Sequence, residues 1–145
     1  MIKGMFDYGA LPALERLVQF TGVRHKVLTD DIANISTPYF KPRDLDPEAF
    51  QTSLRKAIDS RRGSGINPVA GELRIDDTRQ LRFQPGRIES RPQETNTGIL
   101  FHDQNNRDLE RLMQHLAENT ITHGAGIDLI RNELGMLRVA ISGRV

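Results

Sequence analysis

At 145 residues the chain has the size of one domain, but only 37% of it is apolar and 6% aromatic, below the roughly 45–50% apolar content of an ordinary globular domain. With six Phe, two Tyr and no Trp, the composition argues against a compact aromatic core around a deep substrate pocket and for an extended or assembling protein. Net charge is +1, and its basic excess lies in residues 55–92, where nine Lys and Arg face five Asp and Glu scattered among Gly and Pro; this is not the concentrated basic face of a nucleic-acid binder.

The first element is a long helix over residues 10–36. Leu11, Leu14, Val18, Thr21, His25, Leu28, Ile32 and Ile35 step by three and four, the heptad seam of a coiled coil. Pro12 suits only a first turn, which places the start near Leu11. Pro38 stops the helix by pushing the preceding residue out of the α region. Asn34 and Ser36 can bond back onto groups freed at the terminus. The consecutive aromatics Tyr39 and Phe40 are expected to anchor the exit against a neighbour.

Residues 37–105 have a different texture. Asp46-Pro47-Glu48 combines a cap, a first-turn proline and an early acid, so a short helix should run to about Arg61 with Phe50, Leu54, Ala57 and Ile58 on one face. The breaker cluster Arg62-Gly63-Ser64-Gly65-Ile66-Asn67-Pro68 follows. Leu73-Arg74-Ile75 and Leu81-Arg82-Phe83 alternate apolar and charged residues as a weak hairpin would, turning at Asp76-Asp77-Thr78. Residues 84–98 read as loop, and the segment is expected to order only against partners.

The last element repeats the first over residues 106–142. Leu109, Met113, Leu116, Thr120, His123, Ile127, Ile130, Leu134, Leu137 and Ile141 again step by four and three, behind Asn106 or Asp108 as a cap. Gly124 and Gly126 near its middle predict either a weak spot or a close approach by a partner helix. Both seams are interrupted by a Thr and a His, Thr21 with His25 and Thr120 with His123. The plain reading leaves the histidines partly exposed; the sharper one brings the two polar layers face to face in an antiparallel pair and lets them fix register.

Catalytic chemistry finds little support. Cysteine is absent, so there is no thiolate nucleophile and no Cys-ligated zinc. The four histidines form no His-Glu-x-x-His pattern, and His102-Asp103 is an isolated pair of the kind usually solvated in a loop. Arg62-Gly63-Ser64-Gly65 lacks the strand-to-helix setting of a nucleophile elbow. No run approaches the ~18 apolar residues of a membrane-spanning helix, and no cleavage site follows the N-terminus. The expectation is a chain without cofactor, metal, nucleic acid or membrane insertion, and not an enzyme.

The helix end carries the most specific signal. Asp31-Ile32-Ala33-Asn34-Ile35-Ser36-Thr37-Pro38-Tyr39-Phe40-Lys41 resembles the N-terminal signature of the bacterial flagellar rod and hook axial proteins, close to Asn-Ile-Ala-Asn-Ala-Asn-Thr-Pro-Gly-Tyr-Lys. Ile32, Ala33, Asn34, Thr37, Pro38, the aromatic Phe40 and Lys41 match. Asp31 stands where the pattern has its first Asn, and Tyr39 replaces Gly, although Tyr does not readily take the positive φ that Gly allows. Arg43-Asp44-Leu45-Asp46 with Phe50, Asn105-Asn106-Arg107-Asp108-Leu109-Glu110 and Leu137-Arg138-Val139-Ala140-Ile141 resemble the proximal rod type within that family. The resemblance covers about residues 10–54 and 103–145.

What it implies is a structural subunit of the flagellar basal-body rod, exported by the flagellar type III apparatus without a cleaved signal and placed in the periplasmic rod. Its partners would be other rod subunits, the rod–ring adaptor and the inner-membrane ring protein. The fold expected is mainly α, a single domain over 1–145 in which the terminal helices form an antiparallel coiled-coil-like pair around an irregular or weakly β middle. Leu14, Val18, Leu28, Ile32, Ile35, Leu109, Met113, Leu116, Ile127, Ile130, Leu134, Leu137 and Ile141 form the expected assembly seam, buried only when subunits meet. A cytosolic coiled-coil adaptor or chaperone is the alternative, and an enzyme with an unrecognised site the remote one.

Overall fold

The computed structural model describes residues 9–63, 73–84, 86–94 and 109–143. Among them, helix α1 (Leu11–Asn34) is followed by strand β1 (Arg43–Asp44), helix α2 (Pro47–Gly63), strands β2 (Leu81–Gln84), β3 (Arg87–Ser90) and β4 (Gln93–Glu94), and helix α3 (Leu109–Ser142). The protein is mainly helical, with long terminal helices, a short middle helix and two small antiparallel strand pairs. No helix among the described residues is long and apolar enough to cross a membrane.

Local chemistry accounts for the ends of the helices. Pro12 sits in the first turn of α1, where its missing N–H costs no hydrogen bond. At the other end Asn34 Nδ2 donates to the Asp30 carbonyl at 2.7 Å. The Asp46 carboxylate caps α2, accepting from the amides of Glu48 and Ala49 at 2.9 and 3.1 Å. Asn106 and Asp108, expected to cap the last helix, lie outside the described residues, as do His102 and Asp103. Beyond Leu109, α3 runs unbroken through Gly124 and Gly126 for 34 residues, about 51 Å at 1.5 Å per residue.

The terminal helices pack antiparallel. Followed back along α1 from Thr21 to Val18, the facing residues of α3 advance from Asn119 and His123 to Gly126. Along α1, Leu28 is fully buried, Leu14, Val18, Ile32 and Ile35 are half-buried, and His25 is exposed. Along α3 the seam is rotated. Leu116, His123, Ile130 and Leu137 lie on the half-buried side, but the most buried positions are Leu112, Asn119 and Gly126. These stand one residue before Met113, Thr120 and Ile127, so Leu109, Met113, Leu134 and Ile141 are exposed in the single chain while Ile127 is half-buried. The rotation fits Gly126: a Cβ there would lie 3.0 Å from Val18 Cγ2, so α1 sits close over a position with no side chain.

A second face of α1 builds the hydrophobic core. Phe20, Leu45, Phe50, Leu81 and Ile88 form it, with Leu17, Val23, Val27, Leu54 and Phe83 packed around them. Phe20 and Phe50 stack with centroids 4.1 Å apart and planes 3° from parallel, and Phe83 adds a second ring 6.4 Å from Phe50. Three of the chain's eight aromatics are therefore gathered into one stack between α1, α2 and a hairpin.

The hairpin also differs from the expected one. β2 pairs with β3 in the register Leu81↔Ser90 to Gln84↔Arg87, and Gly86 takes φ +78° in the connection, a conformation glycine adopts freely. Residues 73–78 form no strand. Instead Thr78 and Asp77 hold the start of the hairpin: Thr78 Oγ1 accepts from the Leu81 amide and Asp77 Oδ1 from that of Phe83, at 3.0 and 2.9 Å. The Arg87–Ser90 strand carries a single inward apolar residue, Ile88, so alternation was too short there to be read as a strand. β1 and β4 form the other pair, Arg43↔Glu94 and Asp44↔Gln93.

Phe50, only 1% exposed at the centre of the stack, is the position on which this core turns. Phe50→Ala should cost about 3–5 kcal/mol, read as a lowered urea midpoint at unchanged slope.

Candidate functional site

Two groups of side chains decide how the helix pair is held and how the chain leaves it. The first is a polar layer inside the pair. Thr21 is buried, and its hydroxyl lies 2.8 Å from His123 Nδ1, 2.9 Å from the Leu17 carbonyl and 3.1 Å from that of Val18. The hydroxyl has one proton: given to the Leu17 carbonyl, it leaves the oxygen to accept from His123; given to His123, it makes the imidazole the acceptor. Buried Asn119 donates from Nδ2 to the Thr21 carbonyl at 2.9 Å.

One member of each predicted polar layer therefore meets the other, Thr21 with His123. His25 and Thr120 are exposed instead, and the Thr120 hydroxyl returns to the Leu116 carbonyl at 2.7 Å. Asn119 completes the layer in their place. It was not readable as a seam residue because the pattern counts apolar spacing, and the register set by Gly126 turns Asn119 inward.

The second group fixes the exit from α1. Arg24, buried within α1, donates from Nε to Asp44 Oδ1 at 2.8 Å and from Nη2 to Asp44 Oδ2 at 2.6 Å, a bidentate pair with a defined geometry. Asp44 Oδ1 also accepts from the Leu45 amide at 2.7 Å, and His115 Nδ1 lies 3.5 Å from Oδ2. One carboxylate thus joins α1, β1 and α3. A buried pair of this kind adds little net stability, but losing one partner leaves an uncompensated charge.

Between these anchors runs the sequence motif. Ile32 and Ile35 are half-buried, while Ala33, Asn34, Thr37, Pro38 and Lys41 are exposed and Phe40 is half-buried. The Thr37 amide donates to the Asn34 carbonyl at 2.9 Å, and the Phe40 amide to the Thr37 carbonyl at 3.2 Å. Lys41 Nζ reaches Glu94 Oε2 on β4 at 3.2 Å across solvent, a pair of small energetic weight. Asp31, in the place of the pattern's first Asn, is fully buried and accepts from the Arg43 amide through Oδ2. Tyr39, in the place of the pattern's Gly, takes φ +61° and is 74% exposed.

No family model matches the chain. It is 25% identical over 143 residues to the flagellar basal body rod protein FlgB of Yersinia enterocolitica, covering 93% of this chain and 96% of the relative. To FlgB of Bacillus subtilis strain 168 it is 26% identical over 137 residues, covering 93% and 95%. FlgB of Borrelia hermsii is 27% identical over 112 residues, covering 74% and 77%. The chain is a homologue of these rod proteins.

The likeness to FlgB runs through the middle segment too, for which the sequence motifs offered no match. Within that frame the motif turn is present even though its glycine position holds a tyrosine. A left-handed conformation costs a non-glycine residue roughly 1–2 kcal/mol, and among the described residues Tyr39 is left largely exposed. Tyr39→Gly should relax the turn; part of the gain is lost to the added entropy of glycine in the unfolded chain, leaving about 0.5–1 kcal/mol of stabilisation, measurable by urea denaturation.

Proposed function

We propose that the chain is a proximal-type structural subunit of the bacterial flagellar basal-body rod that carries torque between the inner-membrane ring and the distal rod and hook. The observation that supports this reading is likeness to FlgB over more than nine-tenths of both chains, joined to a helix pair whose longer member leaves large apolar side chains exposed. Leu129, Met136, Val139 and Ile141 of α3 are each at least half exposed. Side chains of this size are worth ~1.5–3 kcal/mol each when fully buried, and neighbouring subunits supply the surface that would bury them.

In this reading the polar layer does for torque what it does for register. A shaft must not let its helices slide, and Thr21, Asn119 and His123 are all paired in one alignment only. The partners are other rod subunits, the rod–ring adaptor and the inner-membrane ring protein. The chain reaches the periplasmic rod through the flagellar type III apparatus. The role is structural, not catalytic.

Separate substitutions test the two halves of α3. Leu116→Asp and Ile130→Asp, on the half-buried side, should lower the stability of the chain and abolish assembly and motility. Met136→Asp and Ile141→Asp, at exposed positions, should leave stability within about 0.5 kcal/mol and still prevent incorporation into basal bodies. Full motility in cells carrying only the Met136→Asp, Ile141→Asp chain would rule the rod reading out.

A further inference from the structure

Asp31 is the one carboxylate of α1 that is fully buried, and the position it occupies makes a charge there costly. Oδ2 accepts from the backbone amide of Arg43 at 2.5 Å, but Oδ1, equally buried, has no hydrogen-bond partner among the described residues. The guanidinium closest in sequence on α1, Arg24, is committed through two nitrogens to Asp44. The charged groups facing Asp31 are Arg43 and Asp44 on β1 and Asp30 on α1, and His115 of α3 touches the same cluster through Asp44. Two of these three carboxylate and guanidinium groups acting on Asp31 are acidic. Lys41, on the same exit strand, is turned to Glu94.

We propose that Asp31 is a proton-operated clasp between the end of α1 and β1, holding the Arg43 amide with one oxygen and taking up a proton on the other when the exit closes. Oδ1 is the oxygen that accepts the proton, because Oδ2 is already occupied by the amide. Removal from water pushes the Asp31 carboxyl up from 3.8 to about 6; the Arg43 amide and charge pull it down, and Asp44 and Asp30 add to the rise. Since the folded chain holds the proton more tightly than the unfolded one, folding takes up protons between those two values. Stability is therefore gained as pH falls through 6 toward 3.8 and lost as it rises. At neutral pH the clasp carries an uncompensated buried charge, and the exit is held less firmly than in mild acid.

The test is urea denaturation of the full chain at pH 7.5 and pH 5.0 for wild type, Asp31→Asn and His115→Gln. The part of the pH response that belongs to Asp31 should be about a tenfold rise in the folding equilibrium constant from pH 7.5 to 5.0. That tenfold factor should disappear in Asp31→Asn and persist in His115→Gln. An Asp31→Asn chain with the wild-type response would overturn the proposal. Should that variant fail to fold, carboxyl-carbon NMR titration of Asp31 in the wild-type chain decides: a midpoint near 6 supports the clasp, and one near 3.8 overturns it.

Discussion

The rest of the structure depends on the close approach of α1 to α3 at Gly126. A side chain there would meet Val18 at 3.0 Å, so the helices settle with Gly126 beneath Val18 and Leu17, and that contact sets the register of everything along the pair. One and two turns away it brings His123 and Asn119 onto Thr21. Further on it places His115 beside Asp44, where α3 meets the chain leaving α1. In the opposite direction lie the last turns of α3, where Met136, Val139 and Ile141 are exposed.

Stability and specificity are divided between two faces of α1. The stacked rings of Phe20, Phe50 and Phe83 with Leu45, Leu81 and Ile88 provide the apolar burial, and they would tolerate small shifts because dispersion and burial are not directional. The Thr21 layer and the Arg24–Asp44 pair are directional and partly buried. They contribute less net energy but penalise any other alignment by leaving polar groups unpaired. A subunit that must assemble in one geometry gains from that division: the core holds the fold, and the polar contacts hold the register that neighbours meet.

How much of this the sequence carried depends on the kind of signal. The terminal helices, their antiparallel pairing and the capped middle helix were readable because Pro12, Pro38 and Asp46-Pro47-Glu48 act locally and the heptads repeat many times. The rotation of the α3 seam was not, because its closest contact is a glycine and one of its buried members is an asparagine, neither of which an apolar pattern counts. The second hairpin strand was missed because Ile88 is its single inward apolar residue. Tyr does not readily take the conformation of the motif glycine, yet Tyr39 holds φ +61°: hydrogen bonds from the Thr37 and Phe40 amides on either side hold the turn. Asp31 was legible as a departure from the pattern, but its burial required the fold.

The central claim is that this helix pair enters the basal-body rod in the register seen here and buries the end of α3 against neighbouring subunits. Electron cryomicroscopy of basal bodies from cells that depend on this chain tests it directly. The account predicts density for α1 and α3 antiparallel within the rod, Thr21 against His123, and Met136, Val139 and Ile141 covered by adjacent subunits. A rod that lacks the chain, or one in which α3 has left α1 or its apolar end faces solvent, would contradict it.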